Sequence, residues 1–343
     1  MKKAISVILF ITLALCSLQL SAFAESFVPE ADTADADVLY LYNLENSLTM
    51  SSVGLEKIIS PSATVKMMTA CVALESGIDL QRSVTVTEDM IDGVSGRKMN
   101  LKAGDRLSIT DLLYATVCGG YNDAATVLAL SVCSSLTDFI SKMNERAREL
   151  DMSLTVYSNV TGLDQSGAQT CGADLIRLAK HMILNEEYLK IASAVSYTLS
   201  PSAKCDTKKI YNRSSLPASY HGLANLSSGS GYGGDCAISY FKSGELSFLC
   251  IVMNASPKDD DDTANYAEYF SKQLLNHALN DYSYKTVLDT DALVASFPVA
   301  YASLSGDVGV YLKEPVCVYV PKDIDVTSDL TYNYTSSTAS SRD

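Results

Sequence analysis

The stretch SPSATVKMMTACVALESG, Ser60–Gly77, decides the fold because it predicts a helix that is apolar on nearly all sides. Between Met67 and Leu74, Thr69 is the single polar residue. A helix without a polar face is typical of one buried in the middle of a domain. The rest of the chain should therefore supply the layers that cover this helix.

The segments that follow predict further helices separated by short strands. DVLYLYN (residues 37–43) alternates like a strand, and VTVTEDM (residues 84–90) indicates a short strand entering a turn. The segment SITDLLYATVCGG has a helix cap at Ser108 and paired glycines at its end. Three more helices are predicted over Asp123–Cys133, Leu136–Leu150 and Ala173–Leu184, and a polar, loop-rich passage continues to about Leu223.

Strands return in the last part of the chain. Cys236–Ala255 predicts a hairpin that turns at Lys242–Glu245, and a helix follows over about Thr263–Leu279. Beyond Asp281 the pattern changes to short β segments. The predicted fold class is α/β, with a mostly antiparallel sheet flanked by helices, followed by a small β domain.

The N-terminal residues predict an exported protein. Lys2 and Lys3 precede an apolar run that ends in Ala22-Phe23-Ala24, which is the order of a secretory signal peptide over residues 1–24. Cys16 offers an alternative lipoprotein cleavage site, which the bulky Leu15 disfavours. Later segments fall short of the roughly 18 apolar residues of a membrane helix, so no stable membrane anchor is expected. We expect a secreted, cell-wall-associated protein.

The predicted domains are residues 25–282, a small β domain over 283–328, and a disordered Ser/Thr-rich tail over 329–343. The net charge of −14 becomes −16 once Lys2 and Lys3 are removed, which disfavours nucleic acid and anionic membranes as partners. The acidic run Lys258–Asp262 lacks the ligand spacing of a calcium loop. The sequence contains no CxxC or Cys/His cluster, so we predict neither a metal nor a cofactor.

Four segments carry a resemblance to a known family: SATVKMMT, MNLKAGDRLSITDLLYATVCGGYNDAA, MNERARELDM and SNVTGLD. From about Asp37 to Leu279 the chain resembles the serine D-alanyl-D-alanine carboxypeptidases, which are low-molecular-mass penicillin-binding proteins (peptidase S11-like). The resemblance implies a penicillin-binding or β-lactamase-like transpeptidase domain, with an antiparallel sheet and a helical subdomain, and then a small β domain. It also implies a peptidoglycan stem peptide, or another cell-wall component, as partner.

The first family motif is Ser-x-x-Lys at the start of a buried helix, where the amine lies beside the nucleophilic hydroxyl. Lys66 matches the lysine, but Ala63 occupies the nucleophile position. Ser62 is an alternative nucleophile, although its direction would differ by about 100° on a helix. We therefore expect Ser62 to be a helix cap. Without a hydroxyl to activate, Lys66 is expected to pair with Asn122 or a backbone carbonyl and to attract an anionic peptide end.

The second family motif, Ser-x-Asn, corresponds to Gly120-Tyr121-Asn122. By the resemblance, Asn122 would bind the substrate amide, whereas the relay serine is replaced by Gly120. Tyr121 is expected to crowd the cleft. Asn122 could also be retained because its amide ties loops together.

The third family motif, Lys-Thr-Gly on the edge strand of the cleft, corresponds to Ser227, Ser228 and Gly229, which are predicted to bind substrate. The lysine is absent. The family's strand arginine, which helps to hold the terminal carboxylate, corresponds to Ser247. The two cationic groups for that carboxylate are thus both serines.

The missing groups act as a unit in the family's chemistry, so we predict a catalytically inactive homologue that serves as a binding or regulatory module. The alternatives are an active serine D-Ala-D-Ala carboxypeptidase that uses Ser62, and a purely structural protein. Cys118 and Cys236 flank the second and third motifs, and we expect them to be buried thiols or a disulfide.

Overall fold

The computed structural model describes residues 27–29, 34–231, 233–257, 265–298 and 307–326. The chain divides into two units, which among the described residues are 27–281 and 282–326. The predicted signal peptide, the acidic run Lys258–Asp262 and the predicted tail lie outside the described residues.

An antiparallel sheet forms one layer of the larger unit. Its strand order is β3-β2-β10-β9-β8, and the short β1 also pairs with β10. The strands are β1 (Ala34–Asp35), β2 (Val38–Asn43), β3 (Leu48–Val53), β8 (Leu223–Gly231), β9 (Gly234–Ser243) and β10 (Leu246–Pro257). Two hairpin-like pairs lie outside this sheet: β4 (Ser83–Thr85) with β5 (Arg106–Ser108), and β6 (Ser196–Thr198) with β7 (Lys209–Tyr211).

Nine helices and one 3-10 turn are described in this unit. The turn spans Ser62–Thr64 and leads directly into α1. The helices are α1 (Val65–Glu75), α2 (Glu88–Ile91), α3 (Ile109–Val117), α4 (Asn122–Val132), α5 (Leu136–Glu149), α6 (Gly172–Met182), α7 (Glu186–Ala192), α8 (Leu216–Ser219) and α9 (Tyr266–Asp281).

Helix α1 lies at the centre of the helical layer. Every residue from Val65 to Ala73 is buried, and the helix packs against α3, α4, α5 and β8. The sheet is covered on both faces, as β10 shows: Leu249, Ile251 and Met253 belong to the same core as α1, whereas the Cys250 thiol hydrogen-bonds with Ser271 of α9. Alternate residues of a strand point to opposite faces. The sheet therefore separates α9 from the helical layer.

The C-terminal unit contains two antiparallel pairs. β11 (Tyr282–Leu288) pairs with β14 (Val316–Pro321), and β12 (Leu293–Pro298) pairs with β13 (Asp307–Tyr311). The predicted β character of this segment is confirmed for the described residues.

Most predicted elements are confirmed, including the Ser108 cap of α3. The structure adds that Ser108 and Asp111 bond reciprocally there as a capping box. The passage predicted as loops up to Leu223 was partly wrong, because it contains α7, α8, β6 and β7. Within the described residues, no single helix has the length and apolar character to cross a membrane. The pair α4 and α5, bent by 88°, meets these criteria together by length and composition only.

Candidate active site

A pocket of about 240 Å³ opens where the 3-10 turn enters α1, beside the end of the edge strand β8. Four loop or turn segments and the helix starts supply its walls. The lining residues are Ala63, Lys66, Gly96, Arg97, Asn122, Thr161, Gly162, Leu163, Arg213 and Ser230. The pocket therefore joins the first two family motifs and borders the third.

Lys66 is buried in the pocket wall with 9% of its surface exposed. Its Nζ donates a hydrogen bond to the Thr161 carbonyl oxygen at 2.5 Å, as predicted for a lysine that has lost its hydroxyl partner. Burial, together with the nearby charges of Arg213 and Arg97, lowers the pKa of Lys66 to about 7. The amine can thus change its charge near neutral pH.

Ala63 brings a methyl group to the pocket at the position of the family's nucleophile. Its carbonyl oxygen accepts a hydrogen bond from Ser227 Oγ at 3.1 Å, which ties the 3-10 turn to β8. A β-carbon on Gly229 would lie 2.4 Å from Ala63 Cβ. Residue 229 must be glycine for the turn and the strand to approach this closely.

Ser62 is turned away from the pocket. Its backbone has a φ of +47°, in the left-handed region that is costly for residues other than glycine. Its hydroxyl lies 4.0 Å from Cys236 Sγ, and a β-carbon on Gly231 would meet it at 2.2 Å. The cap position before the turn belongs to Pro61. The prediction that Ser62 caps the helix was therefore wrong.

Asn122 is the first residue of α4 and lines the pocket, as the family motif requires. Its Nδ2 donates to the Ser95 carbonyl oxygen at 2.8 Å, and its backbone N–H donates to the Arg97 carbonyl oxygen at 2.8 Å. Asn122 thus ties the start of α4 to the loop between α2 and β5. These contacts agree with the prediction that the Asn122 amide ties loops together. Binding of a ligand by Asn122 stays a prediction.

Ser227, Ser228 and Gly229 lie on β8, which is an edge strand as predicted. Ser228 Oγ accepts a hydrogen bond from Asn225 Nδ2 at 3.0 Å. None of these three residues is among those that line the pocket, whereas Ser230 is. They therefore form the strand beside the pocket, and their binding of a ligand stays a prediction.

Two arginines that sequence reasoning missed give the pocket its charge. Arg97 Nε donates to the Gly119 carbonyl oxygen at 2.7 Å, and its guanidinium carbon lies 5.0 Å from the centre of the Tyr121 ring. Tyr121 therefore supports Arg97 and is not among the lining residues, so the prediction that it crowds the cleft was wrong. Arg213 Nη2 donates to Ser230 Oγ at 3.3 Å.

Gly120, at the position of the relay serine, lies beside both arginines. A β-carbon there would lie 3.4 Å from Arg213 Cδ and 3.9 Å from Arg97 Cδ. Arg97 and Arg213 thus bring positive charge to the pocket from two loops, whereas Ser227 lies outside its lining. Ser247 lies outside the pocket lining and donates to Glu45 Oε1 at 3.1 Å.

The thiols that flank the motifs are buried. Burial raises the pKa of Cys118 to about 12 and also raises the pKa of Cys236. Cys118 Sγ donates to the Ile191 carbonyl oxygen at 2.9 Å. Every cysteine in the described residues is a free thiol, so of the two predicted alternatives the buried thiol holds.

One group of described side chains has a metal-like ligand set at the end of α1. The ligand atoms of Cys71, Glu75 and His181 lie within 4.8 Å of one another. The Arg146 guanidinium occupies the centre of this group, with Nε 2.8 Å from Glu75 Oε2 and Nη2 3.0 Å from His181 Nε2. The Arg146 guanidinium already occupies the place that a metal ion would take, so we interpret the group as an ion-pair cluster.

Comparison with known proteins is consistent with this geometry. A family model described as D-alanyl-D-alanine carboxypeptidase matches residues 29–256. The D-alanyl-D-alanine carboxypeptidase DacC of Escherichia coli (strain K12) is 26% identical over 316 residues, which cover 88% of this chain and 75% of that protein. The corresponding DacF of Bacillus subtilis (strain 168) is 25% identical over 210 residues, which cover 59% of this chain but only 53% of DacF. The matched region therefore spans about half the length of DacF.

Solved structures share the fold. Penicillin binding protein 5 from Haemophilus influenzae superposes with a TM-score of 0.65 at 19% identity, covering 87% of this chain and 85% of that one. The Streptomyces K15 DD-transpeptidase gives a TM-score of 0.64 at 22% identity, covering 73% of this chain and 98% of that one. At these identities the likeness establishes the fold alone.

Proposed function

The chain belongs to the D-alanyl-D-alanine carboxypeptidase family, and we propose that it is a catalytically silent member that binds peptidoglycan stem peptides at the cell wall. The observation that carries this proposal is the Ala63 methyl group, which lines the pocket next to Lys66. A methyl group cannot form the acyl-enzyme that the family's reaction requires. Loss of a catalytic nucleophile commonly costs on the order of 10⁶ in turnover.

The polar groups around Ala63 are engaged in ways that do not replace the nucleophile. Lys66 Nζ is directed to the Thr161 carbonyl oxygen. Ser230, a hydroxyl of the lining, donates to Asp235 Oδ1 at 2.6 Å and accepts from Arg213. The buried Ser62 hydroxyl packs against Gly231.

The remaining features favour binding. β8 is an edge strand, and an extended peptide can add to such an edge through main-chain hydrogen bonds. Arg97, Arg213 and Lys66 offer positive charge at the end of that strand for a peptide carboxylate. The charged, apolar and small-residue order of the N-terminal sequence supports export, so the proposed location is outside the cytoplasm.

Labelling by a fluorescent penicillin tests the silent state. We expect the purified native protein to remain unlabelled and to release no D-Ala from a stem-peptide mimic. The Ala63→Ser variant should acquire labelling if the cleft is otherwise intact. Labelling of the native protein, with an adduct mapped to Ser62, would support the active alternative and contradict the proposal.

A further inference from the structure

Three basic side chains converge on the place where a nucleophile would act. Lys66, Arg97 and Arg213 all line the pocket that contains the Ala63 methyl group. The lining contains no acidic residue in the described part of the chain. Asp235 is linked to Arg213 through Ser230, which donates to Asp235 Oδ1 at 2.6 Å and accepts from Arg213 Nη2 at 3.3 Å. The charges of Asp235 and Glu268 also act on Arg213 from outside the lining.

Arg213 lies beside the contact between Ala63 and Gly229. Its Nη1 would be 3.4 Å from a β-carbon on Gly229, and that same point is 2.4 Å from Ala63 Cβ. Nη1 would also be 3.9 Å from a β-carbon on Gly120. The Nη1 group thus lies between Gly120 of the second motif and Gly229 of the third.

Arg97 is held in place from the opposite loop. Its Nε is bound by the Gly119 carbonyl oxygen, and its guanidinium rests on the Tyr121 ring. These contacts engage Nε and one face of the guanidinium plane, so they fix the direction of the two Nη groups. A guanidinium that is oriented in this way is suited to a carboxylate, which it can bind through two parallel hydrogen bonds.

Like charges in one pocket repel each other. An anion that binds among the three groups would replace this repulsion by attraction. The pocket is therefore built to be completed by a negatively charged ligand.

We infer that the pocket holds the C-terminal carboxylate of a stem peptide that has already lost its last D-Ala, positioned over the Ala63 methyl group between Arg97 and Arg213. This inference rests on the proposed binding function and specifies its ligand. In the untrimmed peptide the carbon at this position is a neutral amide carbonyl. In the trimmed peptide it is a carboxylate, which the surrounding cations prefer.

The groups at the family's other carboxylate position agree with this choice. By the family resemblance, the terminal carboxylate of an untrimmed peptide would be held at residues 227 and 247, where this chain has serines. Both hydroxyls are engaged within the protein, with the Ala63 carbonyl oxygen and with Glu45. Positive charge has thus been lost where the untrimmed end would lie and is present where the trimmed end would lie.

Calorimetric titration of the full-length secreted protein tests the inference with three probes. They are diacetyl-L-lysyl-D-alanine, its C-terminal amide, and diacetyl-L-lysyl-D-alanyl-D-alanine. We expect the trimmed acid to bind at least roughly tenfold more tightly than either of the others. Arg97→Gln should lower its affinity by a similar factor, whereas Lys98→Gln, the same change on the exposed neighbour, should not.

The outcomes separate the inference from the function on which it rests. Equal or tighter binding of the untrimmed peptide would overturn the inference and leave the proposed binding function in place. An unchanged affinity in Arg97→Gln, with binding otherwise intact, would also overturn it. Binding of none of the probes, or release of D-Ala from the untrimmed peptide, would overturn the proposed function as well.

Discussion

Gly229 and Ala63 face each other so closely that a β-carbon on Gly229 would lie 2.4 Å from Ala63 Cβ. The edge strand β8 and the turn into α1 therefore touch without an intervening side chain from the strand. The Ser227 hydroxyl, bound to the Ala63 carbonyl oxygen, holds the same junction. The floor of the pocket depends on this contact.

Gly229→Ala should destabilise the protein by about 1–3 kcal/mol, because the added carbon must push two packed backbones apart. Urea denaturation measures the change in the free energy of unfolding. The matched control introduces Gly229→Ala into an Ala63→Gly background, where the opposing methyl group is absent. There the added cost should be much smaller. An equal cost in both backgrounds would show that the contact is not the cause.

Because of Lys66, the stability of the protein should increase as the pH rises above neutral. Its pKa is lowered from 10.5 to about 7 in the folded state, chiefly by burial, so between these values the unfolded chain binds more protons. The free energy of unfolding attributable to Lys66 then increases from about pH 7 toward pH 10. We would compare native protein with Lys66→Met at pH 7 and pH 9.5.

The Lys66→Met variant should lack this part of the pH dependence. Lys190→Met, at a lysine whose side chain is 67% exposed, serves as the control and should retain it. If the native protein and Lys66→Met showed the same change of stability with pH over this range, the lowered pKa of the buried Lys66 would be contradicted.

Ligand affinity should show the opposite dependence on pH. A bound carboxylate favours the protonated amine of Lys66, so affinity for diacetyl-L-lysyl-D-alanine should fall as the pH rises through about 7. The other charged or titratable groups that act on Lys66 are Arg213, Arg97 and Cys236. The arginines stay charged in this range, and burial raises the pKa of the Cys236 thiol. Titrations at pH 6 and pH 8.5 would therefore isolate Lys66, and Lys66→Met should abolish the difference.

The sequence predicts most of the fold because its signals are local. The segment that forms α1 has no polar face, and the Ser108 cap and the paired glycines bound α3. Helix α7 was missed because it has only seven residues and many charges. Its signals were readable nevertheless: Asn185 caps it, and Tyr188 and Ile191 are buried three residues apart.

The charge of the site could not be predicted in the same way. Family motifs place Ala63, Lys66 and Asn122 together, and the structure agrees. Arg97 and Arg213 are 116 positions apart in loops without periodicity, so no local signal indicates that both line one pocket. Counting cations at the motif positions alone therefore could not reveal the positive charge that two loops bring to the pocket.

The cluster at the end of α1 should contribute stability that depends on Glu75. Arg146 from α5 and His181 from α6 both contact this carboxylate. Burial alone would raise the pKa of Glu75, but hydrogen bonds from His181 and Arg146 hold it below its usual value. The stability that Glu75 contributes is thus fully present above the ordinary pKa of glutamate. It is lost as the pH falls through the pKa of Glu75 in the folded protein.

Because these groups are partly exposed, Glu75→Gln should cost only about 0.5–1 kcal/mol at pH 7, and the cost should shrink in acid. Thermal or urea unfolding at pH 7 and pH 3.5 measures this. Glu187→Gln, which removes an exposed partner of Lys190, is the control and should have a smaller effect. A larger cost in acid than at pH 7 would contradict the assignment.

The thiols should react in the order of their burial. Cys317 is exposed, whereas Cys71, Cys118, Cys236 and Cys250 are fully buried. Burial also raises the pKa of each of these four thiols, which lowers the fraction of reactive thiolate. Iodoacetamide labelling followed by peptide mass mapping should therefore modify Cys317 first in the native protein. It should reach Cys71, Cys118, Cys236 and Cys250 only after unfolding in urea. Rapid native labelling of Cys236, which lies behind Ser62, would mean that the turn into α1 opens in solution and that a thiol there is accessible to a ligand.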